Sequence, residues 1–365
     1  MKRQIEAIEV KTAEEFAAVK QIRERVFVDE QSIPKELDND GNDAVAKHVL
    51  IKIDGTPLAT GRALKTSEKT AVLARISVLP EARGFYLGKR IVLELEDVAA
   101  RAGATTVSLK PHDYLEKFYR DLGYDTLPGS ERVANYRLLH MEKTFSAAPG
   151  VLFDMDGTLV QTEQLKAQSH AAAVAHFGGS LPDGFFQQIM GKSSEVVANA
   201  YIQTAGLDVT PDEYLRHKNA VYKKLLQQKI NLVPGALNLL QTLRKNGYKL
   251  ALVSSSQRWM MDRVLAKIEI GDFFQTIVSA NEVRREKPAP EPYFKAMVDL
   301  KLTLGKTCVF EDTDVGLTAA HNAGLRSFGL RHALNQKHDL AQAAQVFDSL
   351  EQVDKILELV KDGNE

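Results

Sequence analysis

Six side chains in the second half of the sequence could together move a phosphoryl group. Asp154 and Asp156 stand two apart in "VLFDMDGTLV" (151–160). Ser254, with Ser255 beside it, follows the apolar run of "KLALVSSSQ" (249–257). Lys287 precedes the stiffening prolines of "RREKPAPEPYF" (284–294). Glu311 and Asp312 end the apolar run of "TCVFEDTDVGLTAAHNAG" (307–324). Two carboxylates two apart on a strand end point the same way, and they repel unless a cation lies between them. Alone, a D-x-D-G pair also suits a surface turn or a calcium loop. With the other residues it suits phosphoryl transfer. Asp154 is the candidate nucleophile toward phosphorus. Asp156 can protonate the leaving oxygen and then deprotonate the attacking water. Magnesium on carboxylate and backbone oxygens would let the anionic nucleophile meet an anionic phosphate. Ser254 and Lys287 are placed to hold phosphoryl oxygens, and Ser255 is a candidate substrate contact.

A parallel sheet must position these groups. The apolar runs ending at Asp154, Ser254 and Glu311 are separated by helix-patterned segments such as "GALNLLQTLRKNG" and "RWMMDRVLAKIEI". Strand alternating with helix predicts a parallel sheet with right-handed crossovers. Ligands of such sheets sit at the carboxyl ends of the strands, and all six residues fall at or just beyond those ends. Gly157 lets the chain turn tightly after Asp156.

Residues 151–360 resemble the haloacid dehalogenase superfamily, in its phosphatase and phosphomutase branch. "DMDGTL", the Ser254 strand, Lys287 in "KPAPEPY" and "EDTDVG" follow in the order of its four motifs. The resemblance implies a Rossmann-like parallel sheet, with Asp154 as nucleophile and Asp156 as acid/base. It implies magnesium on Asp154, the Asp156 main-chain carbonyl and Asp312, with Glu311 just outside the ligands. It also implies that the helix-patterned residues 165–232 are a cap that closes over the site and selects the substrate. Lys192, in the cap segment "MGKSSEVV", either binds the non-reacting end of an anionic substrate or is a solvated helix-start lysine. His170, His176 and Trp259 read as packing or surface residues. The β-phosphoglucomutases of this family keep a histidine where this sequence has Lys166, and an arginine where "GKSSE" has Glu195. Both departures favour a hydrolase of a small phosphorylated metabolite, a sugar phosphate or related monoester; a phosphomutase is the alternative.

The first 145 residues form a separate domain, before the small, polar boundary "EKTFSAAPG" (142–150). An apparent helix, "TAEEFAAVKQIRERVFVDE", leads into strand-like runs at "HVLIKID", "PLATGRAL" and "AVLARISVLPEA". A helix in "RGFYLGKRIVLELEDVAARAG" follows, then "TVSLKP", "YLEKFYRDLGYDTL" and "NYRLLHMEK". This order predicts a mixed α/β fold. It resembles the GNAT acetyltransferases, above all in "RERVFVDEQSIPKELDNDGND" and "FYRDLGY". In that family the loop R/Q-x-x-G-x-G/A and the following helix start bind the acetyl-CoA pyrophosphate. By that resemblance Arg83, Gly84, Leu87, Gly88 and Lys89 bind cofactor, and Tyr119 is the acid for the leaving thiolate. The fourth loop position, normally glycine, is Tyr86. The resemblance leaves two readings open: an N-acetyltransferase acting on an amine, or a binding module without chemistry.

The chain has 365 residues, 44% hydrophobic and 26% charged, with a net charge of −1. The near-neutral balance argues against nucleic acid as a partner. One cysteine, Cys308, excludes an internal disulfide and a cysteine-based metal cluster. No apolar run approaches the ~18 residues of a membrane helix. With no signal-peptide pattern at "MKRQIEAIEV", the expected setting is the cytoplasm.

Overall fold

The computed structural model describes residues 4–133 and 135–361. The chain divides into two compact units, Met1–Ala147 with Met297–Gly305, and Ala148–Ala296 with Lys306–Glu365.

The first unit carries strands β1 (Ile5–Glu9), β2 (Lys47–Ile53), β3 (Thr56–Lys65), β4 (Thr70–Val78), β5 (Thr106–Leu109), β6 (Asp125–Val133) and β7 (Tyr136–Thr144). They form one sheet in the order β1-β2-β3-β4-β5-β7-β6. Its helices are α1 (Ala13–Arg23), α2 (Lys35–Asp38), α3 (Leu87–Arg101) and α4 (Glu116–Arg120). A capping box starts α1: Thr12 Oγ1 accepts from Glu15 N–H, and the Glu15 carboxylate accepts from Thr12 N–H. The helical pattern of residues 12–30 does not continue as one α-helix; after Arg23 it widens to a π-helical stretch, Glu24–Glu30. Along α3, Ile91, Leu95 and Val98 recur at helical spacing and are buried, which sets its sheet-facing side.

All neighbouring strands are antiparallel except β4 and β5. Those two pair only from Thr70 to Val72 and from Thr106 to Ser108. β4 runs on to Val78 while β5 stops at Leu109, so the strands part. A cavity of about 190 Å³ lies there, lined by Leu73 to Ile76 on one side and Leu109 and Lys110 on the other.

The second unit is a six-stranded parallel sheet: β8 (Gly150–Phe153), β9 (Lys249–Val253), β10 (Thr276–Val278), β11 (Thr307–Glu311), β12 (Arg326–Leu330) and β13 (Gln345–Phe347). The order is β10-β9-β8-β11-β12-β13. The motif-bearing strands β8, β9 and β11 are central and almost wholly buried, which explains why they read as continuous apolar runs without alternation. Phe153 and Phe310 stack across β8 and β11 at 5.2 Å between ring centres.

Between β8 and β9 the chain forms a helical layer, α5 (Glu163–His176), α6 (Phe185–Ile189), α7 (Ser194–Ala205) and α8 (Pro211–Leu225). It has its own apolar core around Val174, Tyr201 and Tyr214. The segment 185–206, helical in pattern, is two helices. Gly191 takes φ +81°, and Ser193 caps α7 by accepting from Val196 N–H. The second unit also carries α9 (Ala236–Lys245), α10 (Arg258–Ile268), α12 (Asp314–Ala323) and α13 (Val353–Lys361), and α11 (Glu291–Leu300) starts in it and ends in the Met297–Gly305 stretch of the first.

Candidate active site

Asp154 and Asp156 lie just past β8, Ser254 just past β9, and Glu311 and Asp312 at the end of β11. The parallel register brings these ends side by side: Asp154 N–H donates to Phe310 O at 2.9 Å, and Ser254 N–H to Val278 O at 3.0 Å. Gly157 turns the chain back with φ +87°, and its lack of a Cβ makes room for Asp312. A Cβ there would stand 2.3 Å from Asp312 Oδ2.

Lys287 binds the cluster together. Its Nζ donates to Asp154 Oδ1 at 2.7 Å, Glu311 Oε1 at 2.6 Å and Val253 O at 2.8 Å. Glu311 is saturated: Tyr293 Oη donates to its Oε1 at 2.8 Å, and Asp312 N–H and Thr313 Oγ1 donate to its Oε2 at 3.1 and 3.2 Å. Its place over the start of α12 depends on Gly316, where a Cβ would lie 1.8 Å from Glu311 Oε1. Oxygens of Asp154, Glu311 and Asp312 lie within 4.8 Å of one another. Burial pushes Asp154 and Asp312 well up; the Lys287 ammonium opposes the shift in both, and the repulsion of neighbouring carboxylates adds to it. A hard divalent cation fits such a donor set and would reverse that penalty.

The two motif aspartates do not share a cation through their side chains, as strand alternation had implied. Both residues lie beyond the end of β8, and the turn sends their carboxylates apart. Asp156 Oδ1 accepts from Thr162 Oγ1 at 2.5 Å. Its Oδ2 accepts from Ser256 Oγ at 2.8 Å and Ser254 Oγ at 3.2 Å, and pairs with Lys166 Nζ at 2.9 Å. Burial pushes the Asp156 carboxyl up, but Lys166 and these hydroxyls outweigh it and hold the group below its ordinary value.

A cavity of about 80 Å³ lies between these strand ends and the helical layer. Ser255 and the exposed Lys192 border it. The loop carrying Lys192 sits close to α12: a Cβ on Gly191 would meet the Thr313 side chain at 2.9 Å. His338 holds the layer from below, with Nδ1 2.6 Å from Asp314 Oδ1 and Nε2 3.1 Å from Gln187 O. His170 is a packing residue that also forms cavity wall; it stacks on Tyr201 at 4.3 Å and meets Tyr214 Oη at 2.9 Å.

Glu163, Lys166, Ser256 and Lys218 line the cavity and were not singled out as site residues from the sequence. Glu163 and Lys166 join His170 on one face of α5 at spacings of three and four. Ser256 follows the two serines that were. Lys218 is 5% exposed, and its one hydrogen bond among the described residues runs to Asn219 Oδ1 at 3.3 Å. Burial and then the nearby Lys166 charge bring its ammonium down to about 8. A signal for it exists: Lys218 interrupts an otherwise aromatic stripe with Tyr214 and Tyr222.

In the first unit, α3 begins at Leu87 and no side chain caps its start. Tyr86, at the helix cap, takes φ +62° and ψ +7°, the left-handed conformation that glycine adopts without strain. Gly84 takes φ +86°. Gly88 faces Phe118, whose ring would stand 3.4 Å from a Cβ. Lys89 is half-buried. Arg83 is held in a fork by Glu30, at 2.7 and 2.6 Å. Tyr119 is buried and lines the cavity between the parted strands.

Residues 151–330 match the haloacid dehalogenase-like hydrolase family. A fruit-fly protein (Drosophila melanogaster) named "Probable pseudouridine-5'-phosphatase" is 30% identical over 205 residues, 54% of this chain and 88% of that one. The chain belongs to the haloacid dehalogenase-like hydrolases. Another relative in this family, the "Phosphorylated carbohydrates phosphatase" of Thermotoga maritima, is 27% identical over 214 residues, 58% of this chain and 98% of that one. The fold is that of the β-phosphoglucomutase structure from Clostridium difficile, at TM-score 0.53 and 23% identity, covering 59% of this chain and 98% of that one. Ahead of the hydrolase, residues 12–124 match the acetyltransferase (GNAT) family. Among the described residues, no helix is long and apolar enough to cross a membrane.

Proposed function

We propose that the second unit is a magnesium-dependent phosphomonoesterase for a small phosphorylated carbohydrate or related metabolite, working through an aspartyl-phosphate on Asp154. The observation that carries this reading is the position of Asp154. Its carboxylate lies within 4.8 Å of those of Glu311 and Asp312, is bound by Lys287, and lines the capped cavity. The relative named for phosphorylated carbohydrates supports the substrate class.

Asp154 and Asp312 would hold magnesium, with the Asp156 carbonyl as the third protein ligand. Bound there, the ion would neutralise charge on the transferring phosphoryl group. Asp154 attacks phosphorus, and the bond to the leaving oxygen breaks as Asp156, protonated for this step although Lys166 and its hydroxyl donors favour the carboxylate, supplies its proton. Asp156 then takes a proton from water, which attacks phosphorus and releases Asp154 and inorganic phosphate. Ser254 and Lys287 hold the phosphoryl oxygens in both steps. Glu311 has no free lone-pair direction left and serves to fix Lys287 and the start of α12. Lys192, Ser255 and Lys218 face the part of the substrate that is not transferred. Lys166 beside Asp156, where the mutases keep histidine, favours water over a second sugar hydroxyl as acceptor.

For the first unit we propose an acetyl-CoA-dependent N-acetyltransferase. The parted β4 and β5 and the uncapped start of α3 support it, with Gly84, Leu87, Gly88 and Lys89 at the pyrophosphate and Tyr119 as thiolate acid. The Glu30 fork on Arg83 must open if Arg83 is to reach a phosphate.

Phosphate release over a panel of sugar phosphates tests the hydrolase. The wild type should turn over at least one, and Asp154→Asn should lose ~10³-fold or more while still folding. Near-normal turnover by Asp154→Asn would remove Asp154 as nucleophile. Titration of the full chain with acetyl-CoA tests the first unit.

A further inference from the structure

The cavity between β4 and β5 contains a base that no motif assigns. His112, in the loop after β5, is held from three sides. Its ring stacks on Tyr136 at 4.2 Å and 8° between planes. Its Nδ1 lies 2.8 Å from Tyr114 Oη. Its backbone bridges to Leu138. Tyr136 is itself fixed, because its hydroxyl donates to Gln31 O at 3.1 Å. Either group can donate in this contact; in the tautomer whose Nδ1–H donates to the Tyr114 oxygen, Nε2 carries the lone pair, and it has no hydrogen-bond partner among the described residues.

The other titratable or charged groups on the cavity wall are Asp38 of α2, Arg75 of β4, Lys110, Tyr114, Tyr119 of α4 and Tyr136. Asp113, on the same loop as His112, adds a carboxylate that favours the imidazolium. The Asp38 carboxylate is taken by Arg23 at 2.9 Å and Arg75 at 3.1 Å, and Lys110 by Glu131 at 3.0 Å. Burial raises the Tyr114 and Tyr119 phenols, so both stay protonated. His112 differs: burial, against the weaker pull of Asp113, lowers it from its ordinary value and keeps it neutral near pH 7. Apart from Gln31, the rest of the wall is apolar, with Phe27, Leu73 and Ile76 prominent. Gln31 also lines the cavity, and its side-chain oxygen is buried without a partner. An N–H of a bound amine would satisfy it.

We propose that His112 Nε2 is the general base for acetyl transfer to a primary amine carried on an apolar, uncharged body. This rests on the acetyl-CoA reading of the first unit. The ammonium of the acceptor gives one proton to Nε2. The freed nitrogen pair attacks the thioester carbonyl carbon, forming the C–N bond. The C–S bond breaks, Tyr119 gives its proton to the thiolate, and the nitrogen's second proton returns to Tyr119. The products are an acetamide and CoA, with the first proton passed from His112 to solvent. The charged wall groups are already paired, so a carboxylate on the acceptor would find no free cation.

The test uses the full-length protein, acetyl-CoA and 2-phenylethylamine, with phenylalanine and spermidine as comparators, read as CoA thiol released. Acetyl-CoA affinity is measured separately by titration. The wild type should acetylate 2-phenylethylamine in preference to both comparators. His112→Gln should lose ~10²–10⁴-fold in kcat/KM with acetyl-CoA affinity unchanged. The acid limb of the wild-type kcat/KM profile should vanish in that variant, because only neutral His112 accepts the proton. Tyr114→Phe, which removes only the hydroxyl partner, should give a smaller loss and serves if His112→Gln misfolds. A preference for spermidine or phenylalanine overturns the acceptor class. Intact acetyl-CoA binding with activity in His112→Gln within threefold of wild type overturns the base. Absence of acetyl-CoA binding removes the cofactor reading and this proposal with it.

Discussion

Lys166 Nζ lies 2.9 Å from Asp156 Oδ2 and 3.1 Å from Glu163 Oε1, so one cation on the first cap helix serves two buried carboxylates. The Asp156 carboxylate is thereby tied to the cap as well as to Ser254 and Ser256 of the core. Movement of α5 must change the charge around Asp156. On the mechanism proposed above, such movement would act on the residue assigned to proton transfer through a single side chain.

Lys166→Met keeps most of the length of the side chain and removes its charge. Asp156 retains three hydroxyl donors, so kcat should fall by roughly tenfold to a hundredfold, short of a full general acid–base contribution of ~10²–10⁴. KM should change less than kcat. Glu163, one of whose oxygens already lacks a partner, becomes a buried charge without a counterion. Adding Glu163→Gln should therefore restore thermal stability without restoring rate. Recovery of both together would make Lys166 purely structural.

Magnesium should stabilise the wild-type protein against heat, since a ligand that binds only the folded state raises its stability. Asp312→Asn should abolish that shift, and EDTA should abolish phosphate release. The charge logic sets the sign: three clustered carboxylates face one ammonium, so the site without a cation is over-supplied with negative charge. A thermal shift that survives Asp312→Asn would place the cation elsewhere.

The carboxylates and the hydroxyl of the candidate site were legible because each sits at or just past a strand end, where an apolar run stops abruptly; Lys287, in the loop between β10 and α11, was legible from the prolines that follow it. The divergence of Asp154 and Asp156 was not legible, because it depends on where β8 ends and on a turn whose direction no local pattern encodes. Lys218 was hidden for a related reason. A lysine on a cap helix reads as solvated until Tyr214 and Tyr222 are seen to bury the same face. In the first unit β1 went unread, since "IEAIE" sits at the sheet edge and none of its residues is fully buried. Tyr86 departs from the glycine pattern in residue type yet keeps the left-handed backbone, at a cost of roughly 1–2 kcal/mol. His112 belongs to no motif; its role depends on β7 bringing Tyr136 against it.

Gly316→Ala separates helix propensity from site geometry. Alanine within α12 should favour the helix by about 1 kcal/mol relative to glycine. Its Cβ would stand 1.8 Å from Glu311 Oε1, so the carboxylate must move and Lys287 loses one of its three acceptors. The melting temperature should therefore fall, and kcat should drop by roughly tenfold or more, as expected when the residues holding a phosphoryl group are misplaced. A higher melting temperature with unchanged kcat would show that Glu311 is not needed where it stands.

The first unit also has a buried ion pair away from its cavity. Lys143 Nζ lies 2.7 Å from Glu96 Oε2, with side chains 3% and 0% exposed. Burial raises the Glu96 carboxyl, and Lys143 opposes the shift. Lys143→Met leaves the carboxylate alone in the core, which costs ~3–5 kcal/mol when one partner of such a pair is removed. A carboxyl whose folded value lies above its unfolded value favours the folded state below the unfolded value. That contribution is lost as pH rises through the folded value. The Lys143→Met deficit should therefore be large at pH 8 and shrink toward pH 4.5, where Glu96 is neutral in the variant. Glu96→Gln with Lys143→Met should remove most of the pH dependence. Hydrogen exchange of peptides from α3 and β7 reads this locally, so unfolding of the hydrolase unit does not obscure it. A deficit independent of pH would mean that Lys143 stabilises by packing on Tyr124 and Phe145, whose rings lie 5.6 and 5.9 Å from its ammonium, and not by its charge on Glu96.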